Sequence, residues 1–98
     1  MIDFSDTHND RTFLLQGEIV ATVLIELEDT LNSFIQEDDR NAIIDLADVS
    51  KIDSMFLATL IRVKKKLVQR ERTLTLINPI EGIMRVLELA GLDAFLMD

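Results

Sequence analysis

The sequence predicts an α/β domain: a small, mixed, mostly parallel β-sheet with helices packed mainly on one face, in the order β-β-α-β-α-β-α. Two observations carry this. Short apolar runs alternate with longer stretches whose apolar residues recur at three and four, the signatures of buried strands and of amphipathic helices. The later runs are also separated by enough chain to hold a helix each. Right-handed crossovers between parallel strands then place those helices together on one face. With 98 residues, one proline, three glycines and no Ser/Gly-rich or Pro-rich stretch, the chain reads as one domain over 1–98.

Residues 2–8 and Arg11-Thr-Phe-Leu-Leu-Gln16 are the first two strands, a hairpin turning at His8-Asn9-Asp10, with Gly17 closing the second. From Val20 the spacing changes. Val20, Val23, Leu24, Leu27, Leu31, Phe34 and Ile35 form the apolar face of a helix, with Glu26, Glu28, Asp29 and Asn32 opposite. It ends in Gln36-Glu-Asp-Asp39. Ala42-Ile-Ile-Asp-Leu46 reads as a buried parallel strand, followed by a loop over Ala47–Ile52.

The second helix runs from Met55 to about Arg70 behind Asp53-Ser54, burying Phe56, Leu57, Leu60, Ile61, Val63, Leu67 and Val68. Lys64 falls inside that arc and must snorkel or sit at a seam. Thr73-Leu-Thr-Leu-Ile77 alternates and is the next strand. In the third helix Asn78 is the expected N-cap and Pro79 the first helical residue, where a missing N–H costs nothing. Ile80, Ile83, Met84, Leu87 and Ala90 line its face. Gly91 suits the left-handed position after the helix, with Leu92 packing back on the last turn. Phe95-Leu-Met97 reads as a short final strand.

Composition excludes several function classes. The absence of cysteine removes disulfides, thiolate metal sites and thiol nucleophiles, and the lone His8, expected exposed at its turn, cannot build a His-rich site. Neither a G-x-G-x-x-G nor a P-loop pattern occurs, so no cofactor is implied. A net charge of -8 lacks the basic footprint of a nucleic-acid binder. The basic run Lys64-Lys65-Lys66 with Arg62, Arg70 and Arg72 reads as a partner contact or an exposed face more readily than as an anionic-ligand patch. It has no tyrosine or tryptophan beside it for base stacking. The acidic clusters Glu28-Asp29 and Glu37-Asp38-Asp39 read as solvated. No apolar stretch approaches the ~20 residues that span a bilayer. The opening Met1-Ile-Asp-Phe-Ser-Asp lacks the basic and apolar regions of a signal peptide. A cytoplasmic protein without membrane insertion is the expectation.

Charge is unevenly spread. Residues 1–50 hold twelve acids and two bases, a net -10, and residues 51–98 hold six acids and eight bases, a net +2. Such asymmetry suits either an oriented contact with a charged partner or an acidic surface that serves solubility.

One place remains for a functional site. Val49-Ser50-Lys51-Ile52-Asp53-Ser54 leads from the predicted loop into a helix. Ser54, at or near the N-cap, is placed to accept a hydrogen bond from a first-turn N–H. Open backbone donors and the positive end of the helix dipole would also favour a phosphate attached there, although capping is the commoner role of a serine at a helix start. The residues alone leave both readings open.

The stretch Ala42-Ile-Ile-Asp-Leu-Ala-Asp-Val-Ser-Lys-Ile-Asp-Ser54 resembles the STAS domain of bacterial anti-sigma-factor antagonists, the phosphorylatable switches of partner-switching systems. The likeness continues through Leu57, the helix to Lys66, Leu74–Ile77, Asn78-Pro79 and Val86-Leu87-Glu88-Leu89-Ala90-Gly91-Leu92. Upstream, Leu15-Gln16-Gly17-Glu18-Ile19 looks like the family's strand-end signal. The resemblance implies a STAS-type fold and a non-enzymatic switch. Ser54, after Asp53, would be phosphorylated by an ATP-binding serine kinase or anti-sigma protein of the HATPase type and reset by a PP2C-type phosphatase. The unphosphorylated form would bind the kinase or anti-sigma partner and the phosphorylated form would release it. The partner surface so implied comprises Asp53, Ser54, Met55, Thr59, Arg62, Gly17 and Glu18.

The chain also departs from the family. Where members usually read Asp-Ser-[ST]-Gly-Leu-[GA], this one has Asp53-Ser54-Met55-Phe56-Leu57-Ala58, and Val20 stands where an acid often follows the strand-end glycine. Phe56 belongs to the expected core. Met55 falls on the polar side of the projected helix, near Thr59, Arg62 and Lys66. It is either an adaptable apolar docking spot or a cover folded onto the adjacent loop. The rival readings are a STAS scaffold subunit of a transporter or stress-signalling complex that is never phosphorylated, and a small hydrolase or isomerase. For the second, the sequence offers no nucleophile–base pair.

Overall fold

In the computed structural model, which describes residues 2–98, the first two apolar runs pair as the expected hairpin. Strand β1 (Asp3–Asp6) lies antiparallel to β2 (Asp10–Ile19), with Phe4 opposite Phe13. Helix α1 (Ala21–Glu37) then crosses to β3 (Asn41–Ile52), and α2 (Ser54–Val68) crosses to β4 (Leu74–Ile77). Two short helices follow, α3 (Glu81–Leu89) and α4 (Asp93–Met97). The sheet order is β1-β2-β3-β4, with β2, β3 and β4 parallel.

One core explains why the helices share a face. Phe13 and Leu15 of β2, Ala42, Ile44 and Leu46 of β3, and Leu74 and Leu76 of β4 point to the same side, as period-two alternation requires. They meet Leu27 and Leu31 of α1, Phe56 and Leu60 of α2, Ile83 and Leu87 of α3, and Leu96 of α4 in a single buried cluster. The intervening Thr12, Ile43, Asp45 and Thr75 are only half-buried. No helix among the described residues is long and apolar enough to cross a membrane.

The structure corrects several expectations. The predicted loop over 47–52 is the second half of β3, and Gly17 lies inside β2 rather than closing it. Irregularities in the β2–β3 pairing are the reason. The register slips once between Leu14 and Gln16 and again between Gly17 and Glu18, both times leaving an extra residue on β3. Burial along β3 therefore jumps from Leu46 to Val49, and the broken alternation hides the strand. Gly17 takes φ +73° at the second slip, a conformation that glycine accepts without a Cβ penalty.

Helix α3 begins two residues later than expected, with Ile80 as N-cap. Asn78 instead takes a left-handed φ of +57°, and its amide donates to the Asp45 carboxylate at 3.3 Å, so the chain turns out of β4 before it can coil. The expected final strand is helix α4, which packs against β4 and buries Leu96. Val23, Val68, Ile80 and Ala90 are exposed rather than core. Gly91 does take the left-handed position (φ +71°), and the Leu92 N–H bonds back to the Leu87 carbonyl as expected.

The acidic first half and the basic second half lie side by side. Arg62 of α2 reaches Glu28 of α1 at 3.4 Å, and Lys66 donates to the Asn32 side chain. Arg70 and Arg72 donate to the Ile35 carbonyl, and Arg72 also to the carbonyls of Phe34 and Arg40. These contacts satisfy acceptors left open by the end of α1. Lys64 sits at a seam: its ammonium donates to the Phe95 carbonyl and lies 4.8 Å from the Phe95 ring, tying α2 to α4. Most of the basic run is thus engaged within the fold.

Candidate functional site

The parallel strands deliver Gly17-Glu18 and Asp53-Ser54 to the same end of the sheet. Ile19 and Ile52 are in register at the ends of β2 and β3, Gly17 pairs with Val49, and Glu18 pairs with Lys51. Open α/β sheets place their sites at the carboxyl ends of their strands.

Asp53, not Ser54, caps α2. Its backbone is extended, and its Oδ1 accepts the Phe56 N–H at 2.9 Å, which satisfies one of the donors that a helix start leaves open. Ser54 is therefore the first helical residue, its side chain exposed and free of hydrogen bonds to any described residue. Phe56 is fully buried and anchors the first turn from beneath. The sequence reading of Ser54 as cap shifts by one residue, because the aspartate in front of it has the same reach and a better acceptor.

Met55 does not fold away as a cover: its side chain is 56 % exposed. It stands beside a hollow of about 350 Å³ between the starts of α1 and α2, lined by Val20, Ala21, Leu24 and Ile25 on one side and by Asp53, Met55 and Thr59 on the other. Thr59 is fully buried, and its hydroxyl accepts from Arg62 at 3.2 Å. Arg62 in turn pairs with Glu28, the remaining lining residue. Gly17 and Glu18 are exposed on β2 opposite the β3 bulge, nearby in the register, but are not part of the hollow.

The start of α1 was not legible as part of this site. Val20 is its extended N-cap, and Ala21 follows with φ +46°, a left-handed conformation that costs a residue with a Cβ about 1–2 kcal/mol. Ile25 is 65 % exposed. The signal that could have found it is in the sequence: Ile25 is an isoleucine on the helix face otherwise occupied by Glu28, Asp29 and Asn32.

A larger hollow, about 650 Å³, opens at the opposite end of the sheet between His8, Asp38, Arg40 and Arg72. An ion cluster flanks it, while Glu37, Asp39 and Glu71 of its lining remain exposed. Arg11 grips Asp6 with two hydrogen bonds of 2.7 and 3.0 Å, and Arg40 pairs with Asp38 at 2.9 Å. The Arg11 guanidinium holds the Asp6 carboxyl below the usual carboxylate range. The Asp38 carboxyl is lowered first by the Arg40 backbone N–H that it accepts. This cluster fastens the hairpin to the end of α1 and is structural. His8 is exposed at its turn. No group of three or more histidine or carboxylate side chains is placed to hold a metal among the described residues.

Comparison with known proteins locates this architecture. Residues 2–97 match the profile of the STAS domain. The fold superposes on the unphosphorylated form of the anti-sigma factor antagonist SpoIIAA with a TM-score of 0.87 at 18 % identity, covering 100 % of this chain and 87 % of that one. A putative anti-sigma factor antagonist from Thermotoga maritima gives 0.87 at 19 % identity over 98 % of this chain and 83 % of that one. The phosphorylated form of the Bacillus cell-fate determinant SpoIIAA gives 0.77 at 18 % identity over 100 % and 90 %. Comparison with curated sequences gives no match. The profile spans nearly the whole chain, and the element order, the parallel core of the sheet and the helix face agree with it: the protein belongs to the STAS domain family.

Proposed function

We propose that this chain is a non-enzymatic, anti-sigma-factor-antagonist-like switch. In its unphosphorylated form it binds a serine kinase or anti-sigma protein of the ATP-binding HATPase type, and it releases that partner when Ser54 is phosphorylated; a PP2C-type phosphatase restores binding. One observation carries the reading. In a STAS domain, Ser54 is an exposed first-turn serine held in place by a capping aspartate and a buried Phe56. A phosphate there adds about -1.5 to -2 charges to a surface that already carries Asp53. It stays near the open N–H groups of α2, so the modified helix start remains folded while the surface gains bulk and negative charge. A loss of ~3 kcal/mol in partner affinity is more than a hundredfold. Asp53, Ser54, Met55, Thr59, Arg62, Gly17 and Glu18 are the proposed contact residues, with buried Thr59 and paired Arg62 shaping the surface from below.

The test uses the purified chain with ATP and each HATPase-type serine kinase of its own cell, followed by intact mass measurement and mapping of the modified residue. One phosphate on Ser54 is expected. Ser54→Ala should keep the partner, and Ser54→Asp or Ser54→Glu should lose it. Phosphate elsewhere, or equal binding by all three variants, overturns the switch and favours the unmodified scaffold subunit. The exposed Met55 in place of a small hydroxyl residue is what speaks for that second reading.

A further inference from the structure

We infer that the hollow between α1 and α2 is an anchor site for one apolar side chain on a cationic segment of the partner. The identity of that partner rests on the switch reading; the chemistry of the hollow does not. Val20, Leu24, Ile25 and Met55 supply apolar walls, and Ile25 and Met55 remain 65 % and 56 % exposed. Two large aliphatic side chains left in water on facing helix starts, one of them an unbranched and adaptable methionine, form the kind of patch that marks a contact surface.

Each polar side chain of the hollow already makes a hydrogen bond or ion pair within the chain. Thr59 Oγ1 accepts from Arg62, the Glu28 carboxylate pairs with Arg62, and Asp53 Oδ1 accepts the Phe56 N–H. Few polar groups are left to recognise a polar ligand, and a volume of about 350 Å³ lies at the bottom of the range for ligand pockets. It suits a single inserted side chain.

Charge around the rim selects the partner. Glu18 is exposed two residues before Val20, and Asp29 is exposed one turn after Ile25. With Glu28 and Asp53, which line the hollow itself, these make four acids against three bases, Lys51, Arg62 and Lys66, of which Arg62 is held by Glu28 and Lys66 donates to Asn32. A surface of that sign attracts lysine and arginine and repels an acidic segment. Anchor and rim divide the work: burial of the apolar side chain sets the lifetime of the complex, and the acidic rim sets its rate of formation and its salt dependence. Ser54 is adjacent to Met55 in the chain, so a phosphate would stand at the edge of the same hollow.

Two measurements test this. In the first, the methyl-labelled chain is titrated with a short synthetic peptide carrying one leucine among lysines and arginines. Two controls accompany it, one with serine for the leucine and one with glutamates for the bases. The parent peptide should shift the Ile25, Leu24 and Met55 methyl resonances, and both controls should fail. No shift, or equal shifts with either control, overturns the inference. In the second, the kinase that modifies Ser54 is bound to Ile25→Ala and Met55→Ala, both exposed changes that leave the core intact. Each should weaken binding about tenfold or more. Wild-type affinity in both, with Ser54 still phosphorylated, removes the anchor and leaves the switch. A selective methyl response without any Ser54 phosphorylation removes the switch and leaves the anchor.

Discussion

Replacing Asp53 separates what its hydrogen bond does from what its charge does. Oδ1 accepts the Phe56 N–H at 2.9 Å, and the residue is half-buried at the start of α2. Asp53→Ala deletes the cap, which costs about 1 kcal/mol and up to ~2. It also deletes a negative charge at the positive end of the helix dipole, worth roughly 0.3–1 kcal/mol. Asp53→Asn keeps the acceptor and loses only the charge, so it should cost no more than about 1 kcal/mol. Ser54→Ala, one residue on, removes an exposed hydroxyl without a partner and should stay within ~0.5 kcal/mol of wild type. Urea unfolding resolves these differences. In a domain of this size each kcal/mol also moves Tm by about 4–8 °C. If Ser54→Ala proves as costly as Asp53→Ala, or Asp53→Asn as costly as Asp53→Ala, the cap is misassigned. The same variants inform the switch: Asp53→Asn presents Ser54 in unaltered geometry on a less acidic surface, so any change in partner binding reports charge alone.

Three further outcomes follow from the fold. Helices α2 and α3 end in the same hydrogen-bonded turn, Arg72 N–H to the Leu67 carbonyl and Leu92 N–H to the Leu87 carbonyl, but the left-handed residue is Glu71 in one and Gly91 in the other. Glu71→Gly should therefore raise stability by about 1 kcal/mol and Gly91→Ala lower it by a similar amount in thermal unfolding; the same sign for both would refute the strain. Arg72 is buried against Phe34, and Arg72→Met leaves the carbonyls of Phe34 and Arg40 without it, a loss of about 2–4 kcal/mol that Arg72→Lys does not restore. Full rescue by lysine would show that charge, not the guanidinium fork, matters there. Asp6 and Asp38 titrate below the ordinary carboxylate range, so their contribution is complete above the unfolded-chain value near ~4 and fades as pH falls through the lowered values. Asp38→Asn should flatten the acid limb of stability against pH; an unchanged acid limb would remove the ion cluster from that role.

Local chemistry made most of this domain readable. The apolar spacing of α1 and α2, the alternation of Ala42–Leu46 and the Gly91-Leu92 ending all have the meaning in space that they have in sequence. What failed to show was set between elements. The second half of β3 is hidden because its extra residues break the alternation, and only pairing with β2 makes it a strand. Asn78 reads as a cap until its amide finds Asp45 across a crossover. At the candidate site, Asp53-Ser54-Met55 was legible as a local motif, whereas Val20, Ala21 and Ile25 join it only because α1 and α2 start side by side. Ile25 carried a visible trace, an apolar residue on a polar face, without anything to say what it faced.

The two ends of the sheet are built for different tasks, and the placement of the arginines shows it. At the hairpin end Arg11 and Arg40 pair with Asp6 and Asp38 and Arg72 bonds the Ile35 carbonyl at the end of α1, while Glu37 and Asp39 stay exposed. At the Ser54 end only Arg62 takes part, and it is held between Glu28 and Thr59. Part of the acidic surplus of the first half lies at this end, where Glu18 and Asp29 are exposed near Met55 and Ile25. An acidic rim around an apolar hollow is a weak attractor for a cationic partner while Ser54 is bare. On the proposed reading, a phosphate beside Met55 adds bulk at the lip of the hollow, where an anchor side chain has to pass. Its charge alone would favour a cationic segment, so the block is steric. Raising the salt concentration should then weaken the bare complex by screening the rim, yet fail to restore binding of the phosphorylated form. Recovery of phosphorylated binding at high salt would show repulsion between like charges and overturn the cationic partner.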